Sequence, residues 1–216
     1  ARFNAYPSIV GSGDNACIWN SIENQSKLKA GDLVLIDAGC ELGCYASDIT
    51  RTFPISGEFT LEQRSIYQIV LDAQYAAIEA VKPGNHWNHP HEAAVRVITD
   101  GLIRLGLIDA GLEEAIEKEL YKPFYMHRTG HWLGLDVHDV GEYKIAGEWR
   151  LLEPGMVLTV EPGIYISPSN KDVAKKWRGI GIRIEDDVLV TKTACRILSE
   201  LVPKEIHEIE ALMAAK

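Results

Sequence analysis

The chain alternates apolar and polar residues over short runs near both ends and changes to helical spacing in between. Residues 33–37, Leu-Val-Leu-Ile-Asp, form an apolar run ending in a carboxylate, with Gly31 before it and Gly39 after it. This predicts a strand between two turns. A second strand is predicted over 45–53, YASDITRTF. A two-residue turn at Leu42-Gly43 would join them and set Asp37 directly opposite Asp48, at the ~4.5–5.5 Å Cα spacing of cross-strand partners. Thr60, with Glu62 and Gln63 close behind it, reads as a helix start. Ile66, Ile69, Val70, Ala73 and Ala77 recur at helical spacing until Pro83-Gly84. A second helix is predicted from about 90 to 105, with Ala94, Val95, Ile98, Leu102 and Leu105 on one stripe and Gly106 at its end. Shorter helices are predicted at about 112–120 and 205–215.

The strand pattern repeats. Residues 28–39, LKAGDLVLIDAG, align without gaps on 152–163, LEPGMVLTVEPG. Gly31 falls on Gly155, Gly39 on Gly163 and Asp37 on Glu161. Asp48 then follows Asp37 in a second strand, and Glu185 follows Glu161 in GIGIRIEDDVLV, after the polar stretch SPSNKDVAKKWR. Each half thus offers a strand pair bearing two carboxylates. The expected class is α+β, a pseudo-two-fold duplicated antiparallel sheet covered by helices. Helices precede the strands only in the second half. A matching pair is therefore expected upstream, with the chain cut within the first repeat.

Composition narrows the function. With 216 residues, 46% apolar and 25% charged, the chain suits a single soluble domain with its own core. No apolar run reaches the roughly 18–20 residues that span a bilayer. A net charge of −9 argues against nucleic acid or an anionic membrane as partner, since both favour basic faces. Cys17, Cys40, Cys44 and Cys195 are few and irregularly spaced. They read as reduced, structural residues in a cytoplasmic setting.

Four acids at equivalent strand positions make a poor core, because unpaired buried carboxylates are costly and converging ones repel. Divalent cations would remove the repulsion. The segment FYMHRTGHWLGLDVHD adds His127, His131 and His138, with Gly130 and Gly134 disfavouring a helix and pointing to a loop leading into a strand. One imidazole can complete an oxygen-rich ligand set, and the other two can donate protons or orient a substrate. Such a set fits Mn²⁺, Co²⁺, Zn²⁺ or Fe²⁺ better than a thiolate-seeking metal. Two ions sharing carboxylates would acidify a bridging water and polarise a carbonyl.

The motifs LIDAG, SDITRTFP, HxxxHWLGLDVHD, EPGMVLTVEPGIY and RGIGIRIEDD together resemble the pita-bread metallopeptidases, a family that includes methionine aminopeptidase, prolidase and aminopeptidase P. The aminopeptidase P branch is the most similar, with prolidase next. The resemblance implies a dinuclear exopeptidase that cleaves an N-terminal Xaa-Pro bond. Asp37 would hold one ion, Asp48 and Glu185 would bridge, and His131 and Glu161 would hold the second. His127 and His138 match the family's substrate-side histidines, and Arg183 its supporting arginine. Two Mn²⁺ ions, peptides with proline in second position and a homo-oligomeric full-length protein are implied in the same way.

One position departs from the family pattern. Relatives place a histidine 17 residues before the first aspartate, where this chain has Asn20 in CIWNSIEN. Asparagine hydrogen-bonds but carries no proton in turnover, so weakened catalysis or altered preference is expected with metal binding intact. The competing readings are a dipeptide-specific prolidase, a peptide-binding member without catalysis, and a metal-free creatinase-like hydrolase. The last two predict lost metal ligands, whereas all five positions are filled here.

Overall fold

The computed structural model describes residues 1–17 and 27–214. Asn20 lies outside the described residues. Every strand pairing among the described residues is antiparallel. Strand β1 (Phe3–Asn4) is followed by β2 (Ile9–Ser12), β3 (Leu33–Asp37), β4 (Cys40–Leu42), β5 (Tyr45–Ala46) and β6 (Thr50–Pro54). Helices α1 (Leu61–Ala80), α2 (His89–Arg104) and α3 (Leu112–Glu117) come next. A small hairpin of β7 (Lys144–Ile145) and β8 (Glu148–Trp149) precedes β9 (Val157–Val160) and β10 (Gly163–Tyr165). The chain then forms β11 (Gly181–Arg183), β12 (Asp186–Val190), β13 (Cys195–Ile197) and α4 (Ile206–Ala214).

The duplication seen in the residues is present in the backbone. Sheet β2-β3-β6 belongs to the first half and β13-β12-β9 to the second. Gly31 and Gly155, at φ +92° and +97°, turn the chain into β3 and β9, a conformation open to glycine. The halves are stitched side by side between 48–52 and 183–187. The Glu185 N–H donates to Thr50 O at 3.1 Å. The Arg183 N–H donates to Thr52 Oγ1 at 3.2 Å, and the Asp48 N–H meets the Asp187 carboxylate at 3.2 Å.

Helix α1 starts where the sequence predicts. Thr60 Oγ1 accepts from the Gln63 N–H, and the Gln63 side chain accepts from the Thr60 N–H, closing a capping box. Ile66, Tyr67, Val70, Leu71, Ala73 and Ala77 bury their side chains, each large one stabilising the fold by about 1.5–3 kcal/mol. Gly101 of α2 lets the two helices approach, since a Cβ there would come within 2.6 Å of Ile69 Cγ2. Gln74 ties α1 to the strands, donating to Val160 O at 3.0 Å and Asp186 Oδ2 at 2.9 Å. No helix among the described residues is long and apolar enough to cross a membrane.

Three details differ from the sequence reading. The first hairpin turns at Gly43-Cys44, not Leu42-Gly43, with φ +61° and +68°. Positive φ at both central residues is what a tight hairpin turn with matching twist requires. Leu42 therefore pairs with Tyr45, and Asp37 faces Thr50 rather than Asp48. The shift is two residues, so Asp48 stays on the same face. Secondly, Cys40 and Cys44 lie exposed on this protruding hairpin, and only Cys17 and Cys195 are part-buried; all four are free thiols. Thirdly, the histidine segment forms irregular backbone with one bridge, Trp132 to Leu158, and the next strand begins only at Lys144.

Candidate metal centre

Asp37, Asp48, His127, His131, His138, Glu161, Arg183 and Glu185 all line one cavity of about 300 Å³, together with Tyr6. Asp37 ends β3, Glu161 follows β9, and Asp48 and Glu185 stand just before β6 and β12. The register on either side, Val160 opposite Asp186 and Gly163 opposite Arg183, sets Glu161 across from Glu185. Strand alternation sends Glu185 into the cavity and Asp186 to the opposite side. There Asp186 is held by Arg51 at 2.8 Å and Lys204 at 2.6 Å. Arg51, then Lys204, hold the Asp186 carboxyl below its ordinary range against its burial.

At Glu185 the lowering pull of Arg183 is outweighed. Burial, then Asp48 and Glu161, push its carboxyl well above the usual range. Burial also raises Asp37, and it raises Glu161 to about 7. Asp37 pairs with Arg183. His131 Nε2 lies 3.3 Å from Asp48 Oδ2 and 3.5 Å from Glu161 Oε1. Asp48, His131 and Glu185 bring one ligand atom each within 4.8 Å of one another.

The protein's own cations leave this acid cluster under-neutralised. His131 Nδ1 bonds Trp132 O at 2.9 Å, so the neutral ring carries its proton there and turns a lone pair on Nε2 toward the carboxylates. That arrangement is the usual support for a metal-bound histidine. Carboxylates plus one imidazole suit hard or borderline divalent ions. The residues present fit a divalent metal centre.

Arg183 and the two other histidines frame the cluster. Arg183 Nε donates to Thr50 Oγ1 at 3.0 Å, and its Nη1 to the Tyr165 hydroxyl at 3.2 Å. His127 is buried, with Nε2 2.9 Å from the Tyr165 hydroxyl and Nδ1 2.8 Å from Arg128 O. Its burial lowers the ring to about 4, which keeps it neutral. His138 stands edge-on to His131 at 4.3 Å between centroids, and desolvation, then His131, lower its pKa.

Four contributors escaped the sequence reading. The Tyr6 hydroxyl reaches Asp37 Oδ1 and Asp48 Oδ1, each at 2.5 Å. The Thr50 hydroxyl donates to Glu185 Oε2 at 2.5 Å. Thr159 Oγ1 donates to Glu161 Oε1 at 3.2 Å and accepts the His131 N–H at 3.0 Å. Tyr165 joins His127 to Arg183. Thr50 and Thr159 were accessible from alternation, each two residues from a ligand-type acid on the same strand face. Tyr6 and Tyr165 carried no comparable signal.

Comparison with known proteins gives concordant findings. The chain is 54% identical over 99% of its length to the Xaa-Pro aminopeptidase of Haemophilus influenzae, covering 49% of that protein. It is 50% identical over its whole length to the Xaa-Pro aminopeptidase of Escherichia coli, covering 48% of it. Among solved structures, the aminopeptidase PepP of Pseudomonas aeruginosa superposes with a TM-score of 0.98 at 64% identity, over 99% of this chain and 48% of that one. The chain thus spans about half the length of the curated relatives it matches. Residues 1–192 match Metallopeptidase family M24, and the chain belongs to that family.

Proposed function

We propose that this chain is the single metal-binding catalytic domain of an Xaa-Pro aminopeptidase, which hydrolyses the bond between an N-terminal residue and a following proline. One observation carries the reading: Asp37, Asp48, Glu161 and Glu185 converge with His131 on one cavity from both halves of the duplicated sheet. The names of the relatives support the choice of substrate. In this reading Asp37 would hold one divalent ion, His131 and Glu161 would hold the other, and Asp48 and Glu185 would be shared between them. Mn²⁺ is the proposed ion, and Co²⁺, Zn²⁺ and Fe²⁺ match the same donors. When bound, such a pair supplies an acidified water for attack and an electrophile for the scissile carbonyl.

The chain's own residues do the rest. Arg183 and Tyr6 fix Asp37, and Thr50 fixes Glu185. Thr159 fixes Glu161 and the backbone of His131. His138, exposed at the cavity, is placed to hydrogen-bond the peptide and steady developing charge. His127, held by Tyr165, orients the substrate from the buried side. Glu161 or a histidine passes the proton to the leaving amine. A cytoplasmic, homo-oligomeric full-length protein belongs to the same proposal, with the free thiols as support for the compartment.

The test is metal analysis combined with hydrolysis of Xaa-Pro dipeptides and longer Xaa-Pro peptides. Cleavage of the longer peptides supports the aminopeptidase. Cleavage of dipeptides alone would make the protein a prolidase. A protein that holds no divalent ion and cleaves neither overturns the reading.

A further inference from the structure

A second cluster of metal-ligand side chains lies outside the cavity. It sits where the connector after α1 enters α2, in the run Asn-His-Trp-Asn-His-Pro-His-Glu, 85–92. His86, His89 and Glu92 each bring one ligand atom within 4.8 Å of the others. The His86 and His89 rings stack at 3.5 Å between centroids and 14° between planes.

We propose that His86, His89 and Glu92 form a separate site for a borderline divalent ion of the Zn²⁺ class. Two imidazoles and a carboxylate are a donor set that such ions accept, with water completing the shell. The tautomers suit it. His89 Nδ1 accepts the His86 N–H at 3.0 Å, and His86 Nδ1 accepts the Asn88 N–H at 3.2 Å. The neutral rings therefore carry their protons on Nε2, and the lone pair of each Nδ1 is taken by one backbone N–H. An ion bound through both Nδ1 atoms needs that state. It displaces two backbone donors, which water can then satisfy because both histidines are only half-buried. The rings must tilt out of their stack for their lone pairs to converge, and side-chain rotation at half-buried positions allows this.

Glu92 is already oriented: Asn88 Nδ2 donates to its Oε1 at 2.6 Å. A hollow of about 690 Å³, lined by His89, Glu92, Asn88 and Arg96 among others, opens beside the cluster and admits the water ligands. The bound ion ties the connector to the first turn of α2. Trp87, between the two histidines, packs on Trp132 at 4.1 Å between ring centroids and holds the connector in place without the ion.

The experiment is calorimetric titration with Zn²⁺ of the purified protein, of the His86→Ala/His89→Ala double variant and of Glu92→Gln. The expected result is one Zn²⁺ fewer per chain in the double variant, and at least tenfold weaker binding of that one ion in Glu92→Gln. Hydrolysis with the catalytic centre loaded should be unchanged in both variants. Glu92→Gln alters an exposed position and keeps the test open even if the double variant folds poorly. Equal stoichiometry in the protein and the double variant, or unaltered affinity in Glu92→Gln, overturns the proposal. Neither result depends on which peptide the enzyme cleaves.

Discussion

Thr50 Oγ1 donates to Glu185 Oε2 at 2.5 Å across the seam where the two halves of the sheet meet. The same oxygen accepts from Arg183 Nε at 3.0 Å, and Arg183 continues to Asp37. One hydroxyl therefore links carboxylates of both halves. Thr50→Val keeps the shape and removes the hydroxyl. The expected outcome is a 10–100-fold loss in metal affinity or kcat/KM, the usual effect of deleting a partner behind a metal ligand, with the fold retained. Circular dichroism and metal titration check it.

Tyr6 supports two acids with a single proton. Its hydroxyl lies 2.5 Å from an oxygen of Asp37 and of Asp48. In metal-free protein Tyr6→Phe should lower stability by about 1.5–3 kcal/mol, the range for hydrogen bonds to charged groups. The loss should shrink once divalent ions neutralise the carboxylates. Urea unfolding with EDTA, and again with Mn²⁺, measures both.

The cavity acids also set a pH dependence for the metal-free protein. Burial raises Glu161 to about 7 and raises Asp37 and Glu185 in the same direction. A carboxyl whose folded pKa is raised binds its proton more tightly folded than unfolded. Its stabilising contribution is complete below the unfolded value, about 4.3, and is lost as pH rises through the folded value. The midpoint of thermal unfolding in EDTA should thus fall between about pH 4.5 and pH 7. Added divalent ion should reverse the trend, because it binds the deprotonated acids. A midpoint that climbs across this window in EDTA would contradict the account.

Asp48 and His138 should separate metal binding from turnover. Asp48→Asn should abolish most activity and lower the metal content, since a bridging ligand serves two ions. His138→Ala should abolish most turnover with metal content unchanged. Elemental analysis beside peptide hydrolysis distinguishes them, and loss of metal in His138→Ala would make that histidine a ligand.

The family resemblance implies a histidine at the position where this chain has Asn20. Asn20→His should raise kcat/KM at constant metal content if the asparagine weakens proton handling. An unchanged kcat/KM removes Asn20 as an explanation for weak catalysis.

The local pattern of residues determined the elements and the kind of chemistry. Spacing marked α1 and α2, the Thr60 cap is a local hydrogen-bond device, and the repeat of 28–39 at 152–163 announced the duplication. Such features depend on neighbours in sequence. Register and convergence do not. Whether Asp37 faces Asp48 or Thr50 was decided by which turn residues take positive φ, and Gly43-Cys44 won over Leu42-Gly43. Tyr6, 31 residues from Asp37, and Arg183, 146 residues from it, reach the cavity only through the folded sheet. Adjacent acids Glu185 and Asp186 read alike in sequence. One became a cavity carboxyl held by the Thr50 hydroxyl and the other a buried ion pair, because opposite strand faces meet different neighbours. Side-chain environment is a tertiary property, and it brought the four acids named by the repeat into one cavity.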